Sequence, residues 1–175
     1  MSDFVFEIRE AVSSDYEFLP DVENDAGEVF RDFGLPQLAD DEPISVEYYR
    51  GLEVGEHALY VAVVDGLIVG FVLALVVDGG AYIREVSVRR DFSGQGIGRS
   101  LIGRVLDWAR DRQDAFVCLT TFAEIPFNAP FYKKLGFEVF APDGDMPELR
   151  DILEKEHSWC PKGNSRVAMR LCLEF

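Results

Sequence analysis

"RRDFSGQGIGRSL", residues 89–101, places glycines at 94, 96 and 98 between the alternating apolar run "AYIREVSV" (81–88) and a stretch of helical periodicity. A strand, alternate glycines and a helix together make a device for holding something. Glycine lets the backbone take conformations closed to other residues and leaves no side chain between a ligand and the main chain. At a helix N-terminus, exposed N–H groups and the positive end of the helix dipole suit phosphate oxygens, and a pyrophosphate is the natural occupant. The spacing G-x-G-x-G is not the G-x-G-x-x-G of a dinucleotide fold, whose loop also opens the domain. No Lys-Ser or Lys-Thr follows, as a P-loop requires.

Outward from this loop, the periodicity predicts alternating helix and strand. Downstream, Ile97, Leu101, Val105 and Ala109, widened by Ile102, Leu106 and Trp108, form the apolar stripe of a helix packed on a sheet. Upstream, "HALYVAVVDGLIVGFVLALVV" (57–77) is two β-rich runs joined by Asp65-Gly66, a strong two-residue hairpin signal, and "DGG" (78–80) makes the next turn. "FVFEIREA" (4–11) alternates as a first strand with Phe4, Phe6 and Ile8 on one buried face. The apolar spacing from Leu19 to Phe33 predicts an amphipathic helix closed by Gly34, starting either at a Ser14/Glu17 capping box or near Leu19 with Pro20 in the first turn. "LPQLADDEP" (35–43) reads as a loop, and Ser45 as the cap of a short helix ending near Gly55. "AFVCLTTF" (115–122), "FEVF" (137–140) and "RVAMRLCLEF" (166–175) are strands, "NAPFYKKLG" (128–136) a short helix ended by Gly136, and a further helix is expected from Pro147 to His157.

The 175 residues, 48% hydrophobic, suffice for one domain spanning 1–175. No run of about 20 apolar residues is present to span a bilayer. The acidic start lacks the features of a secretion signal, so the expected compartment is cytoplasmic. Three cysteines without paired spacing predict neither a disulfide framework nor a metal site, with Cys118 and Cys172 expected to be buried. The formal charge of −15 would repel nucleic acid and anionic membranes, while suiting a cationic amine or simply a soluble surface.

These residues resemble the GNAT N-acetyltransferases, whose acetyl-CoA loop reads Gln/Arg-x-x-Gly-x-Gly/Ala after a splayed strand; here it is Ser93-Gly94-Gln95-Gly96-Ile97-Gly98. The resemblance covers most of the chain and includes "IPFNAPFYKKLGF" (125–137), similar to the family's late Tyr-x-x-Leu-Gly-Phe element. Ser93 departs from the usual Gln or Arg, and Arg90 stands where a proline is common. The family's asparagine seven residues before the tyrosine is replaced by Ile125, with Asn128 four before instead. The resemblance implies a mixed α/β fold: a mostly antiparallel sheet of six or seven strands, splayed in the middle and flanked by helices.

It also implies that the main chain of Val86 and Val88 pairs with the pantetheine arm of acetyl-CoA. Ser93, Gly94, Gly96, Ile97, Gly98 and Arg99 would meet the pyrophosphate, with Asn128 a further cofactor contact. A backbone N–H near Val88 would serve the oxyanion, and Tyr132 matches the tyrosine that protonates the departing thiolate. The base is open. Glu85, on the opposite strand face from Val86 and Val88, is the first candidate, acting directly or through water. Glu124 is the second; Asp40, Asp41 and Glu42 suit recognition of a cationic substrate better than proton abstraction. His57 and His157 are read as structural.

The expected activity is therefore acetyl transfer to a primary amine of a small-molecule or peptide acceptor, by direct attack in a ternary complex without a metal. No cysteine sits in a nucleophile motif. A non-catalytic acyl-CoA sensor is the alternative, and a nucleotide-binding redox enzyme is disfavoured by the loop's spacing. The acceptor and the acyl chain length stay open, as does the oligomeric state, with a homodimer one candidate.

Overall fold

Asp65 (φ 49°) and Gly66 (φ 80°) both take the left-handed conformation, and so do Asp78 (φ 50°) and Gly79 (φ 76°). Two tight turns of the primed kind result, matching the twist of the strands they join. In the computed structural model, which describes residues 4–174, these turns connect β2 (His57–Val64), β3 (Leu67–Val77) and β4 (Gly80–Val88). The acidic first three residues and Phe175, the last residue of the expected closing strand, lie outside the described residues. With β1 (Glu7–Glu10), β5 (Phe116–Phe122), β6 (Glu138–Phe140) and β7 (Arg166–Cys172), they form a seven-stranded sheet in the order β1-β2-β3-β4-β5-β7-β6. The helices are α1 (Leu19–Gly27), α2 (Pro36–Ala39), α3 (Val46–Arg50), α4 (Ile97–Asp111), α5 (Ala129–Lys134) and α6 (Pro147–Trp159). None of these is long and apolar enough to cross a membrane.

The chain divides into two compact units, one running to Ala74 and including Glu85–Val105, the other comprising Leu75–Arg84 and the chain from Leu106. In the first, β1 pairs antiparallel with β2, Ile8 opposite Ala62. Leu19, Val22, Val61, Phe71, Leu101 and Val105 are fully buried here, as the helix and strand periodicities require. Gly70 keeps β3 close to its neighbours: an added Cβ would lie 3.0 Å from the Ser87 carbonyl oxygen and 3.3 Å from the side chain of Ile97. Asp15 is buried between the two guanidinium nitrogens of Arg9, at 2.6 and 3.0 Å, and accepts the Val12 N–H at 2.8 Å.

Several expectations change. The first strand begins only at Glu7, and Phe4 is exposed. The long helix is broken into α1 between two 3₁₀ turns (Ser13–Phe18 and Glu28–Phe33). Asp15, rather than Ser14 with Glu17, does the capping, while Pro20 sits in the first turn of α1. Within "LPQLADDEP", Pro36–Ala39 is a single helical turn. Ser45 Oγ caps α3 by accepting the Tyr48 N–H at 3.2 Å, and that helix stops at Arg50, well short of Gly55.

In the second unit, β5 lies in parallel with β4 over three pairs (Ala81 with Val117, Tyr82 with Cys118, Ile83 with Leu119) and antiparallel with β7 over seven. β4 runs on to Val88 past the last of these pairs. Val77, Tyr82, Cys118, Met146, Leu149 and Ala168 make one core cluster. The start of α6 is capped from afar: the Asp78 carboxylate accepts the N–H groups of Glu148 (3.1 Å) and Leu149 (2.9 Å), and the Glu148 carboxylate accepts the Asp78 N–H. Arg166 forms a buried ion pair with Glu156 at 2.9 Å, and Thr120 Oγ1 lies within hydrogen-bond reach of Glu156, Arg166 and Tyr82. Burial pushes the Tyr82 phenol up to about 12. Cys118 is buried, its thiol pushed up to about 12 mainly by burial, but Cys172, expected inside, is exposed at the end of β7. All three cysteines are free.

Candidate active site

Gly94 (φ 75°) and Gly96 (φ 84°) occupy the left-handed region, where a Cβ would be strained, and both are exposed with open space where that Cβ would project. A 3₁₀ turn, Arg90–Phe92, leads into them from β4, and α4 begins at Ile97. The Gly96 carbonyl accepts the first helical bond, from Ser100 N at 3.0 Å. The N–H groups of Ile97, Gly98 and Arg99 precede it and so have no acceptor within the helix. Ile97 is buried and anchors the turn, while Ser93 and Arg99 are exposed. Backbone donors, a helix N-terminus and one exposed guanidinium together fit a pyrophosphate.

The segment before the glycines is tied to α1. Arg89 donates from Nη2 to Asp21 Oδ2 (2.7 Å), from Nε to the Ile68 carbonyl (3.2 Å) and from its main-chain N to the Val69 carbonyl (2.8 Å). The Arg90 N–H donates to Asp25 Oδ2 at 2.8 Å. Neither aspartate stands out in the sequence; their i, i+4 spacing on α1 is the only local signal.

On β4, Glu85 and Ser87 share one face and are joined by a 2.8 Å bond from Ser87 Oγ to Glu85 Oε1. Ser87 is 4% exposed, and Glu85 is half-buried rather than a solvated strand carboxylate. Val86 and Val88 alternate with them, both half-buried.

Tyr132, Asn128 and Glu124 belong to the second unit. Tyr132 is half-buried on α5, with its ring 5.3 Å from that of Phe131 and 5.7 Å from that of Phe137. Asn128 holds that helix to β5: its Nδ2 donates to Thr121 Oγ1 at 2.8 Å, and its carbonyl accepts the N–H groups of Phe131 and Tyr132. Glu124 accepts both the hydroxyl (2.6 Å) and the N–H (3.2 Å) of Ser165, and the hydroxyl bond first among these holds its carboxyl below the usual range. A carboxylate made less basic and occupied in this way is a poorer proton acceptor than its position in the sequence suggested. Asp40 pairs with Arg31. His57 contacts the Glu53 carbonyl at 2.7 Å and His157 the Arg166 carbonyl at 2.9 Å, both as structural links. Among the described residues no group of three or more His, Cys, Asp or Glu could hold a metal ion.

A mostly antiparallel seven-stranded sheet flanked by helices, with a glycine turn between β4 and α4, defines the architecture of the acyl-CoA transferases. Residues 55–139 match the acetyltransferase (GNAT) domain. An uncharacterised N-acetyltransferase of Methanocaldococcus jannaschii is 36% identical over 90 residues, which span 47% of this chain and only 40% of that relative. Among solved structures, the ribosomal-protein-S18-alanine N-acetyltransferase of Escherichia coli superposes with a TM-score of 0.69 at 18% identity, covering 98% of this chain and 96% of that one. The PaiA N-acetyltransferase of Thermoplasma acidophilum, solved with coenzyme A, gives 0.66 at 16% identity, covering 97% and 99%. At these identities the likeness is one of fold.

Proposed function

We propose that the protein, as one acetyltransferase domain over residues 1–175, transfers an acetyl group from acetyl-CoA to the primary amine of a small-molecule or peptide acceptor. The observation that carries this reading is the exposed glycine turn at the N-terminus of α4, with Gly94 and Gly96 left-handed and open space over both. Acetyl-CoA supplies an activated thioester carbonyl. Ser93, Gly94, Gly96, Ile97, Gly98 and Arg99 hold its pyrophosphate, the main chain of Val86 and Val88 pairs with its pantetheine arm, and Asn128 is a further contact.

In the reaction the amine nitrogen forms the new C–N bond and the C–S bond breaks. Glu85 takes the proton that the nitrogen loses, directly or through one water. Its Ser87 partner keeps the carboxylate oriented. Tyr132 gives its proton to the leaving sulfur. An ordinary phenol is a weaker acid than an ordinary thiol by about 1.5 pKa units, so that step is uphill by about 2 kcal/mol on its own. Proton transfer therefore accompanies C–S cleavage and is drawn forward by amide formation. Direct attack agrees with the thiols: Cys118 is buried with a raised pKa, which makes it inert, and neither Cys160 nor the exposed Cys172 sits in a nucleophile motif.

The test is thiol release from acetyl-CoA over a panel of polyamines, aminoglycosides, amino acids and peptides, beside a CoA titration of thermal stability. Amine-dependent release that falls about 100-fold or more in Tyr132→Phe, with CoA affinity kept, is the expected result. CoA binding without release from any amine would instead favour an acyl-CoA sensor.

A further inference from the structure

Asp21 and Asp25 lie one turn apart on α1, and each spends a carboxylate oxygen on the two residues that lead from β4 into the glycine turn. The two bonds differ in kind. Asp21 takes a side-chain donor, Arg89 Nη2, in a salt bridge whose aspartate is 75% exposed, where pairing is worth little. Asp25 takes a main-chain donor, Arg90 N, so its bond acts on the backbone itself. Its ion pair with the Arg90 guanidinium, at 3.7 Å, is loose by comparison. The Arg90 N–H has no strand partner at this point, because the chain has just left β4 at Val88 and Arg90 opens the 3₁₀ turn. Two further bonds complete that turn, Phe92 N to Arg89 O (2.9 Å) and Ser93 N to Arg90 O (3.1 Å), and Gly94 follows immediately. Asp25 thus fixes the first residue of a five-residue path to the left-handed glycine.

We infer that Asp25, through the Arg90 N–H, is a positioning residue for acyl-CoA binding, holding the glycine turn in its receptive shape before the phosphates arrive. This rests on the reading of that turn as the pyrophosphate site. Charge and position oppose each other here. A carboxylate near the turn repels a pyrophosphate, so loss of its charge alone would tighten CoA; loss of the backbone bond frees the turn and weakens CoA through the cost of ordering it. Asparagine separates the two, because its amide oxygen still accepts the Arg90 N–H while the charge is gone.

The experiment measures CoA dissociation constants and steady-state constants for wild type, Asp25→Asn and Asp25→Ala. Asp25→Ala is expected to raise the CoA Kd and the acetyl-CoA KM about three- to tenfold with kcat and the acceptor KM unchanged, and Asp25→Asn to bind CoA as well as wild type or better. Equal tightening in both variants would assign the residue a purely electrostatic part, and no change in either would remove it from the site; each overturns the inference. Hydrogen exchange in the unmutated protein gives a second reading that does not depend on a variant folding. The Arg90 amide should be protected well above the amides of Gly94 and Gly96, and exchange at the same rate as theirs would overturn the inference as well. A wild-type protein that does not bind CoA at all would instead refute the pyrophosphate reading of the turn.

Discussion

Ser87 Oγ donates to Glu85 Oε1 at 2.8 Å, joining a buried hydroxyl and a half-buried carboxylate along one face of β4. The alternation of a strand puts these two on one side and Val86 and Val88 on the other. On the proposed reading, the main chain of this strand pairs with the cofactor and Glu85 takes the proton of the acceptor. Glu85→Gln should lower kcat about 100-fold or more while leaving the CoA dissociation constant unchanged, and Ser87→Ala should cost less because the base itself remains. Unchanged turnover in Glu85→Gln would show that another group is the base.

Thr121 and Asn128 predict a second effect. The 2.8 Å bond between them ties the end of β5 to the residue whose carbonyl accepts the Tyr132 N–H. Thr121→Val keeps the shape and removes the hydroxyl, so it should lower kcat about tenfold with little change in CoA affinity. Thr121→Ser should restore the rate. An unchanged rate in Thr121→Val would show that the bond does not matter, and a loss in the serine variant as well would show that the methyl group matters besides the bond.

Asp15 makes a prediction about pH. Hydrogen bonds from Arg9 come first among the causes that hold its carboxyl below the usual range, so the folded state stabilises the ionised form. That stabilisation is present in full above the unfolded value of about 3.9 and disappears as pH falls through the lower folded value. With Arg9 36% exposed, solvent screening leaves about 1 kcal/mol. Wild type should melt above Asp15→Asn at pH 7, and the gap should narrow at pH 3. A gap of the same size at both values would mean that the ion pair contributes nothing.

Legibility in the sequence followed distance along the chain. Asp65-Gly66, the stripe of α4 and the cap of α3 by Ser45 are local patterns, and the structure reproduces them. The glycine turn was readable for the same reason, since its residues are consecutive. Bonds between residues far apart left no such trace: Asp25 with Arg90, 65 positions apart, or Thr120 with Glu156, 36 apart. The helical turn Pro36–Ala39 was hidden because its composition is that of a loop, and Cys172 misled because an apolar run does not show which strand residue ends at the surface.

Asp78 carries the last prediction, because it does two things at once. It takes φ 50° in the turn between β3 and β4, and its carboxylate accepts two of the N–H groups that the first turn of α6 leaves over. The residue before that helix, Met146, has no side-chain acceptor, so α6 depends on a cap supplied by a strand turn. Asparagine tolerates the left-handed conformation but offers a single oxygen, enough for one of the two donors. Alanine offers none and is strained at that φ. The order of stability should therefore be wild type, then Asp78→Asn, then Asp78→Ala, with alanine costing about 2–3 kcal/mol from a lost cap and a left-handed residue together. Chemical denaturation of the three proteins measures this. If asparagine and alanine were equally destabilised, neither the turn conformation nor the bond that asparagine keeps would contribute.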